Sequence, residues 1–303
     1  MIQLTGVSKR VGDFQLKDIN MELPAGYIMG MIGPNGAGKT TLMHLLMGLY
    51  RTNDGEVRIF DKTYEDAEKE IHEDIGVVLQ ERLFDNYRTL RENADFYGSF
   101  YAKYDSRILE DYLTQFELEP ARKYKQLSKG EELKFQFAFA LAHEPKLLIL
   151  DEATGNFDPE FREKFLQILR EFIADGEHSV ILSTHITDDL ERIADYITYL
   201  ENGKVLLSTD IESLHDMYRI ASGETYKLKL LPKEDVIFIE EGEFGSKALI
   251  KYWSRRPYDA MITLTTPTIE ELMYFMTKGH EKKKKLRVSK YIFPKGMYEQ
   301  EEV

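Results

Sequence analysis

Short runs of consecutive apolar residues recur along the first two thirds of the chain, and polar clusters follow them. Four runs have the length of a strand: YIMGMI at 27–32, IGVVL at 75–79, LLIL at 147–150 and SVIL at 179–182. Apolar runs without alternation are typical of strands buried on both faces of a parallel sheet. The pattern predicts an α/β fold with its chemistry at the carboxyl ends of these strands.

Helical spacing replaces these runs between residues 89 and 116. Apolar residues recur there at mixed helical intervals, namely Leu90, Phe96, Phe100, Ile108, Leu109 and Phe116. Asp105 and Ser106 mark a helix restart, because such side chains cap helix N-termini. In LSKGE, at 127–131, Ser128 precedes a long apolar stretch, and Glu131 and Glu132 are placed to close a capping box.

The character of the chain changes after residue 204. The segments TYKLKLL (225–231), VIFIE (236–240) and KALIKYW (247–253) predict short strands, and TTPTIEELMYFMTKG predicts a helix capped by Thr268. We expect residues 211–303 to form a small α+β accessory domain for dimerisation or regulation. The run EKKKKLR at 281–287, with Lys282 and Lys285, is either a solvated basic stretch or a contact for anionic lipid headgroups.

Composition limits the classes of protein that need to be considered. The 303 residues are 43% hydrophobic and 31% charged, which suits one large globular domain or two unequal ones. No window approaches the roughly 18 apolar residues of a membrane span, and the N-terminus MIQLTGVSKR lacks the apolar core of a signal peptide. We therefore expect the chain to stay in the cytosol and to reach a membrane only through a partner.

Charge and cysteine content exclude further classes. A formal net charge of -13 argues against a broad nucleic-acid surface, because phosphate binding needs a basic face. The absence of cysteine excludes disulfides, zinc–thiolate sites and cysteine nucleophiles. No nucleic-acid partner is expected.

A glycine-rich loop, GPNGAGKTT at 33–41, lies between the first apolar run and LMHLLMGL, which has helical spacing. In that context GxxxxGKS/T indicates a P-loop, whose backbone N–H groups wrap a phosphate chain at a helix N-terminus. Lys39 would reach the β- and γ-phosphates, and Thr40 would ligate Mg²⁺. From average residue usage, a chance occurrence of this motif in a chain of this length has a frequency on the order of one in a hundred. The candidate nucleotide ligands are Asn35, Gly36, Gly38, Lys39, Thr40 and Thr41.

Polar side chains at the ends of the other three runs supply the remaining candidates. Asp151 can hold the Mg²⁺ shell, and Glu152 can orient or deprotonate an attacking water. His185 can reach the γ-phosphate and the water, and Gln80 can touch the metal or the water without adding charge. Taken alone, each has a plainer interpretation as a solvated or structural residue; after a P-loop, the Asp-Glu pair becomes a strong signal.

In this order the residues resemble the ATP-binding subunit of an ABC transporter. The motifs are Walker A GPNGAGKT, the Q-loop Gln80, the signature LSKGE, Walker B LLILDE, the D-loop GNFD (155–158) and the switch residue His185. The resemblance covers residues 1–210. It implies an α/β P-loop NTPase core of the ABC ATPase type with a helical subdomain at about 81–144, ATP and Mg²⁺ as cofactors, and ATP hydrolysis.

The resemblance also implies partners. Two such subunits meet head to tail as a homo- or heterodimer, so that Ser128, Gly130 and Glu131 face the nucleotide of the second copy. This sandwich drives a separate integral membrane subunit, which places the chain on the cytoplasmic face of the cell membrane. The C-terminal extension is similar to that of exporters. Five aromatic residues either receive the membrane subunit or pack in the core: Phe84, Tyr87, Tyr97, Tyr101 and Tyr104.

Three departures from the family pattern stand out. Val11 occupies the place of a tyrosine that stacks on adenine, so Phe14 is the nearest aromatic replacement. The signature reads LSKGE where the family usually has LSGGQ, so that Glu131 carries a carboxylate in place of a neutral amide. This carboxylate can weaken closure of the dimer or accept a hydrogen bond from a ribose hydroxyl. The D-loop reads GNFD where SGLD is usual. None removes a group that the chemistry requires, and we expect a competent ATPase.

Two alternatives have different signatures. A soluble ABC-type ATPase acting on a macromolecular complex, DNA or ribosomes, usually has two nucleotide domains or a coiled-coil insertion. The chain has neither a second P-loop nor sustained heptads. A non-catalytic nucleotide switch would be expected without Glu152 or His185, and both are present.

Overall fold

The computed structural model describes residues 1–243, 245–252 and 258–292, with side chains as far as residue 282. Two compact units are present, Met1–Ile211 and Glu212–Val303. Trp253 in the predicted third tail strand, and the side chains of residues 283–287 in the basic run, lie outside the described part.

The first unit alternates strands and helices. Its strands are β1 (Ile2–Val11), β2 (Phe14–Leu23), β3 (Ile28–Ile32), β4 (Asp54–Ile59), β5 (Ile75–Val78), β6 (Leu147–Asp151), β7 (Ser179–Ser183), β8 (Tyr196–Glu201) and β9 (Lys204–Asp210). Its helices are α1 (Lys39–Leu46), α2 (Tyr64–Glu73), α3 (Leu90–Gly98), α4 (Ser106–Gln115), α5 (Lys129–Ala142), α6 (Pro159–Phe172) and α7 (Thr187–Ile193).

A six-stranded sheet in the order β5-β6-β7-β3-β8-β9 forms the centre of this unit. Its first five strands are parallel, and β9 pairs antiparallel with β8. The four apolar runs of the sequence became β3, β5, β6 and β7, and every residue of β3, β6 and β7 is buried. The predicted α/β fold with a parallel sheet is confirmed.

A second, antiparallel sheet in the order β2-β1-β4 packs into the same core. Its inward side chains, including Ile2, Leu16 and Ile59, form one cluster with Met29, Met31 and the apolar face of α1. The three strands alternate buried and more exposed positions, as expected for a sheet with one face exposed to solvent.

Helices α3, α4 and α5 fill the segment between β5 and β6. The predicted restart at Asp105 is confirmed, because its carboxylate accepts a hydrogen bond of 2.8 Å from the Arg107 N–H and caps α4. The neighbouring Arg107 side chain lowers the pKa of Asp105 to about 2. Ser128 caps α5 as predicted, and Glu131 rather than Glu132 closes the capping box.

The second unit is a small α+β arrangement. It contains β10 (Tyr218–Gly223), β11 (Val236–Gly242), β12 (Gly245–Lys251) and β13 (Thr263–Thr265), with α9 (Thr225–Lys229) and α10 (Ile269–Ile292); α8 (Ile211–Met217) precedes β10. The antiparallel order is β11-β12-β10-β13. The strands predicted around 236–240 and 247–251 are confirmed, and Thr268 caps α10 by accepting from the Glu271 N–H at 3.1 Å.

The strand predicted at 225–231 is wrong, because this segment contains α9 instead. Its alternating apolar residues do not share a buried face: Leu228 is buried, whereas Tyr226 is 58% and Leu230 78% exposed. The sheet position beside β12 is taken by β10, whose Ile220 pairs with Leu249. Strand pairing with a distant segment therefore overrode the local alternation.

Across residues 1–243, 245–252 and 258–292, no helix combines the length and the apolar character that crossing a bilayer requires.

Substitutions of Ile149 test the central sheet. Its side chain is fully buried, between Val77 and Ile181 on the neighbouring strands. Ile149→Ala should lower the free energy of unfolding by about 2–5 kcal/mol and Ile149→Val by about 0.5–1.5 kcal/mol, because each leaves a cavity of different size. Urea unfolding followed by circular dichroism measures both, and equal midpoints for the two variants would contradict the packing described.

Candidate nucleotide and metal site

Four parallel strands bring the predicted residues to one edge of the sheet. Pairing aligns Val78 with Leu150, Asp151 with Ser183, and Met31 with Ser183, so the carboxyl ends of β5, β6, β7 and β3 lie side by side. A cleft of about 440 Å³ opens at this edge. It is lined by Val11, Phe14, Asn35, Gly36, Ala37, Gly38, Lys39, Thr40, Thr41, Glu152 and His185.

The loop between β3 and α1 has the conformation that its glycines predict. Gly38 adopts φ 111°, and a Cβ there would lie 2.7 Å from Phe14 Cζ and from Leu16 Cδ2. Only glycine combines this dihedral angle with this close packing. The loop thus leads directly into the N-terminus of α1, where N–H groups favour an anion.

Lys39 is buried at the start of α1, and its Nζ donates a hydrogen bond of 2.8 Å to the Gly33 carbonyl. Burial lowers the pKa of the ammonium, whereas the nearby Glu152 and Asp151 carboxylates raise it. The cation is therefore held between the loop that precedes α1 and two acidic residues, a position from which it can reach an anion in the cleft.

Thr40 and Asp151 meet across the cleft. Thr40 Oγ1 lies 3.1 Å from Asp151 Oδ2, and Ser183 Oγ donates to Asp151 Oδ1 at 2.9 Å. A hydroxyl and a carboxylate are hard oxygen ligands of the kind Mg²⁺ takes when waters and phosphates complete its shell. Within the described ranges, no group of three or more histidine or acidic side chains could hold a metal alone. These residues fit a Mg²⁺ ion shared with a phosphate ligand.

Glu152 lies at the centre of a second set of contacts. Its Oε1 is 3.0 Å from His185 Nε2, and its backbone carbonyl accepts a hydrogen bond of 2.6 Å from Gln80 Nε2. The residue adopts φ 53°, an unfavourable left-handed conformation for a non-glycine residue. Strain of this kind is typical of functional sites, and here it accompanies a carboxylate that faces the cleft.

The signature segment does not line this cleft in the single chain. A Cβ at Gly130 would lie 2.7 Å from the Asn156 carbonyl of the D-loop, so a larger residue would displace one of the two segments. Glu131 pairs with Arg122 and accepts from the Ser128 N–H at 2.7 Å. The Arg122 hydrogen bond is the main cause that lowers the pKa of Glu131 to about 2.

Two contacts of the site were missed by sequence reasoning. Ser183 binds both acidic residues, with Glu152 Oε1 at 3.3 Å, and its position directly before Thr184 and His185 was the available signal. The pairing of Arg122 with Glu131 had no local signal. In the D-loop, Asp158 caps α6 through the Phe161 N–H at 2.9 Å.

Comparison with known proteins finds related chains. The family model for ABC transporters matches residues 16–155. The Nod factor export ATP-binding protein I of Rhizobium leguminosarum bv. viciae is 33% identical over 211 residues, 67% of each chain. The ABC transporter ATP-binding protein YtrB of Bacillus subtilis (strain 168) is 28% identical over 220 residues, 72% of this chain and 75% of that protein.

Among solved structures, the dimeric post-hydrolysis state of the ATP-binding cassette MJ0796 bound to ADP and Pi is similar to this chain. It is 27% identical with a TM-score of 0.62, and the match covers 70% of this chain and 99% of that one.

Ser183→Ala should lower the free energy of unfolding by about 1–3 kcal/mol, because the buried Asp151 carboxylate loses a donor. The matched control is Ser179→Ala, at the other end of β7, where the hydroxyl donates to the Pro24 carbonyl at 3.2 Å. Combining each serine variant with Asp151→Asn separates the two serines. The cost of Ser183→Ala should fall in the Asp151→Asn background and that of Ser179→Ala should not; equal costs throughout would contradict the contact.

Proposed function

The chain belongs to the family of ABC transporter ATP-binding proteins, and we propose that it is the ATP-hydrolysing motor subunit of an exporter. The observation that carries the proposal is the single cleft in which Lys39, Glu152 and His185 converge beside the Thr40–Asp151 contact. Export is supported by the name of the Nod factor relative.

We assign nucleotide contacts to the loop and its flanks. Lys39 and the N–H groups of residues 35–41 would hold the β- and γ-phosphates. Thr40 and Asp151 would hold Mg²⁺, with Gln80 as a further oxygen ligand. The ion would supply charge neutralisation on the phosphates when bound. Phe14, whose ring packs on Gly38 in the cleft, is placed to stack on adenine.

Glu152 acts in this proposal as the general base. It takes a proton from a water whose oxygen forms a bond to the γ-phosphorus, while the bond from that phosphorus to the bridging oxygen breaks and yields ADP and phosphate. His185, 3.0 Å from the Glu152 carboxylate, orients this group and hydrogen-bonds the developing charge. Gln80 holds the Glu152 backbone in its strained conformation through the 2.6 Å contact.

A second copy of the chain, or a related subunit, completes each site. Ser128, Gly130 and the N-terminus of α5 would face the triphosphate of the partner, offering N–H groups and the positive end of the helix dipole. Glu131 is held by Arg122 and Ser128, and its carboxylate retains acceptor capacity for a ribose hydroxyl.

A groove of about 670 Å³ is the proposed docking surface for the membrane subunit. Its lining includes Phe84, Tyr97, Phe100 and Tyr101. Phe100 is 66% exposed, and Tyr87, nearby in sequence, is 73% exposed. Exposed aromatic side chains support a role for these two residues in contacting a partner rather than in the core. Phe84 is buried against Phe135 and Phe139, and ordinary packing accounts for it.

We propose residues 1–210 as the ATP-binding domain, with its helical subdomain at about 81–144, and residues 211–303 as an accessory domain for dimerisation or regulation. The two compact units support a boundary near this point. Docking on a membrane subunit would place the chain at the cytoplasmic face of the membrane.

Glu152→Gln should lower ATP turnover by a factor of about 10²–10⁴, because glutamine cannot take the proton. ATP and Mg²⁺ should remain bound, so size-exclusion chromatography with both should show a shift to a dimer. Lys39→Ala serves as the control that loses nucleotide binding and stays monomeric. Hydrolysis at the wild-type rate in Glu152→Gln would remove Glu152 from the catalytic role.

Phe100→Asp should abolish co-purification of the chain with a polytopic membrane protein, because a charge in the aromatic groove opposes apolar docking. The isolated variant should hydrolyse ATP at the wild-type rate. Tyr226→Asp, at an exposed aromatic residue of the second unit, is the matched control and should retain the membrane protein. Recovery of the wild-type chain only with ribosomes or DNA would favour the soluble ATPase instead.

A further inference from the structure

One face of α5 binds the chain segment that follows β5 through hydrogen bonds and an ion pair. Lys129, Glu132 and Gln136 are spaced at i, i+3 and i+7, so their side chains lie on the same side of the helix. All three contact residues 79–82, which continue from β5 without regular secondary structure. We call these three side chains the α5 clamp.

Gln136 is the anchor of the clamp. It is 1% exposed, and its side-chain oxygen accepts a hydrogen bond of 2.8 Å from the Leu79 N–H. Its nitrogen donates to the Glu81 carbonyl at 2.9 Å. The amide thus binds the backbone on both sides of Gln80, in a buried setting where breaking either bond would be costly.

Glu132 adds charge to the same contact. It is buried, and Arg82 Nη2 lies 2.5 Å from its Oε1, while Lys129 Nζ lies 3.4 Å from its Oε2. Two cations therefore compensate one buried carboxylate, and the Arg82–Glu132 pair holds the segment after β5 against α5. Removal of the Lys129 charge would leave Arg82 as the cation paired with Glu132.

Lys129 contacts Gln80, one of the residues assigned to the site. Its Nζ donates to the backbone carbonyl of Gln80, and the Gln80 side chain donates in turn to the Glu152 carbonyl at 2.6 Å. The connection runs from the third residue of the signature through Gln80 to the backbone carbonyl of Glu152, the residue assigned as the base. A movement of the N-terminus of α5 that pulls on this bond would shift Gln80 relative to Glu152.

We propose that Lys129 is a positioning residue for ATP hydrolysis, which holds Gln80 against Glu152 of the same chain as part of the α5 clamp. The proposal rests on the function proposed above and deepens it. Because Ser128, the adjacent residue, would face the partner's nucleotide, engagement of the signature at one site is passed through Lys129 to Gln80 at the other.

The test begins with Lys129→Met, which keeps most of the side-chain length and removes the ammonium. We expect kcat for ATP to fall about tenfold, as for the loss of one charged hydrogen bond. The KM should change by less than about twofold, because Lys129 does not line the cleft of its own chain and its ammonium is bound to the Gln80 carbonyl. Lys164→Met is the matched control, since its Nζ donates to the Gln115 carbonyl at 2.7 Å away from the site, and it should retain wild-type kcat.

A double-mutant cycle with Gln80→Ala distinguishes positioning from other roles. If Lys129 acts through Gln80, Lys129→Met should change kcat by less than about twofold in the Gln80→Ala background. Losses that multiply would overturn the proposal and indicate a direct contact with the partner's triphosphate. An equal loss in Lys164→Met would also overturn it, because general loosening of the subdomain would then explain the effect.

Amide hydrogen exchange tests the clamp independently of turnover. Without nucleotide, a peptide covering residues 79–86 should exchange several-fold faster in Lys129→Met than in wild type, and at the wild-type rate in Lys164→Met. Unchanged exchange in Lys129→Met would overturn the clamp. A wild-type chain that fails to hydrolyse ATP but shows the exchange difference would refute the proposed function and leave the clamp in place.

Discussion

The parallel pairing of β6 with β7, and of β7 with β3, is the constraint on which the site depends. It fixes Asp151 opposite Ser183 and brings the end of β3 beside both. A slip of one residue in either pairing would move every side chain of the shifted strand to the other face of the sheet. The cleft, the contact between Thr40 and Asp151 and the contact between Glu152 and His185 all follow from this register.

Groups of opposite charge lie close together at the cleft. Lys39 is buried on the Gly33 carbonyl, and its pKa is lowered by burial although two carboxylates oppose the shift. Asp151 is also buried and is held by hydroxyl donors from Thr40 and Ser183. A polyphosphate with a divalent cation suits this arrangement, because the anion meets Lys39 and the helix N-terminus while the cation meets Asp151.

Helix α5 links this edge of the sheet to the signature segment. The Ser128–Glu131 capping box closes its first turn. Lys129 in that turn, and Glu132 and Gln136 further along the helix, bind residues 79–82. Gly130 packs directly against the D-loop carbonyl of Asn156. One helix therefore contacts the segments that follow β5 and β6, so its position and the geometry around Glu152 are coupled within the chain.

The sequence by itself determined the elements whose signals are local. Apolar runs marked β3, β5, β6 and β7, the glycine pattern marked the loop between β3 and α1, and Asp105, Ser128 and Thr268 marked helix starts. Only the tertiary structure decided that 225–229 is a helix, that Ser183 binds both carboxylates, that Arg122 holds Glu131, and that Lys129 reaches the Gln80 carbonyl. Periodicity and capping act within a few residues, whereas Lys129 and Gln80 are 49 positions apart, and contacts at such separations depend on how the elements pack.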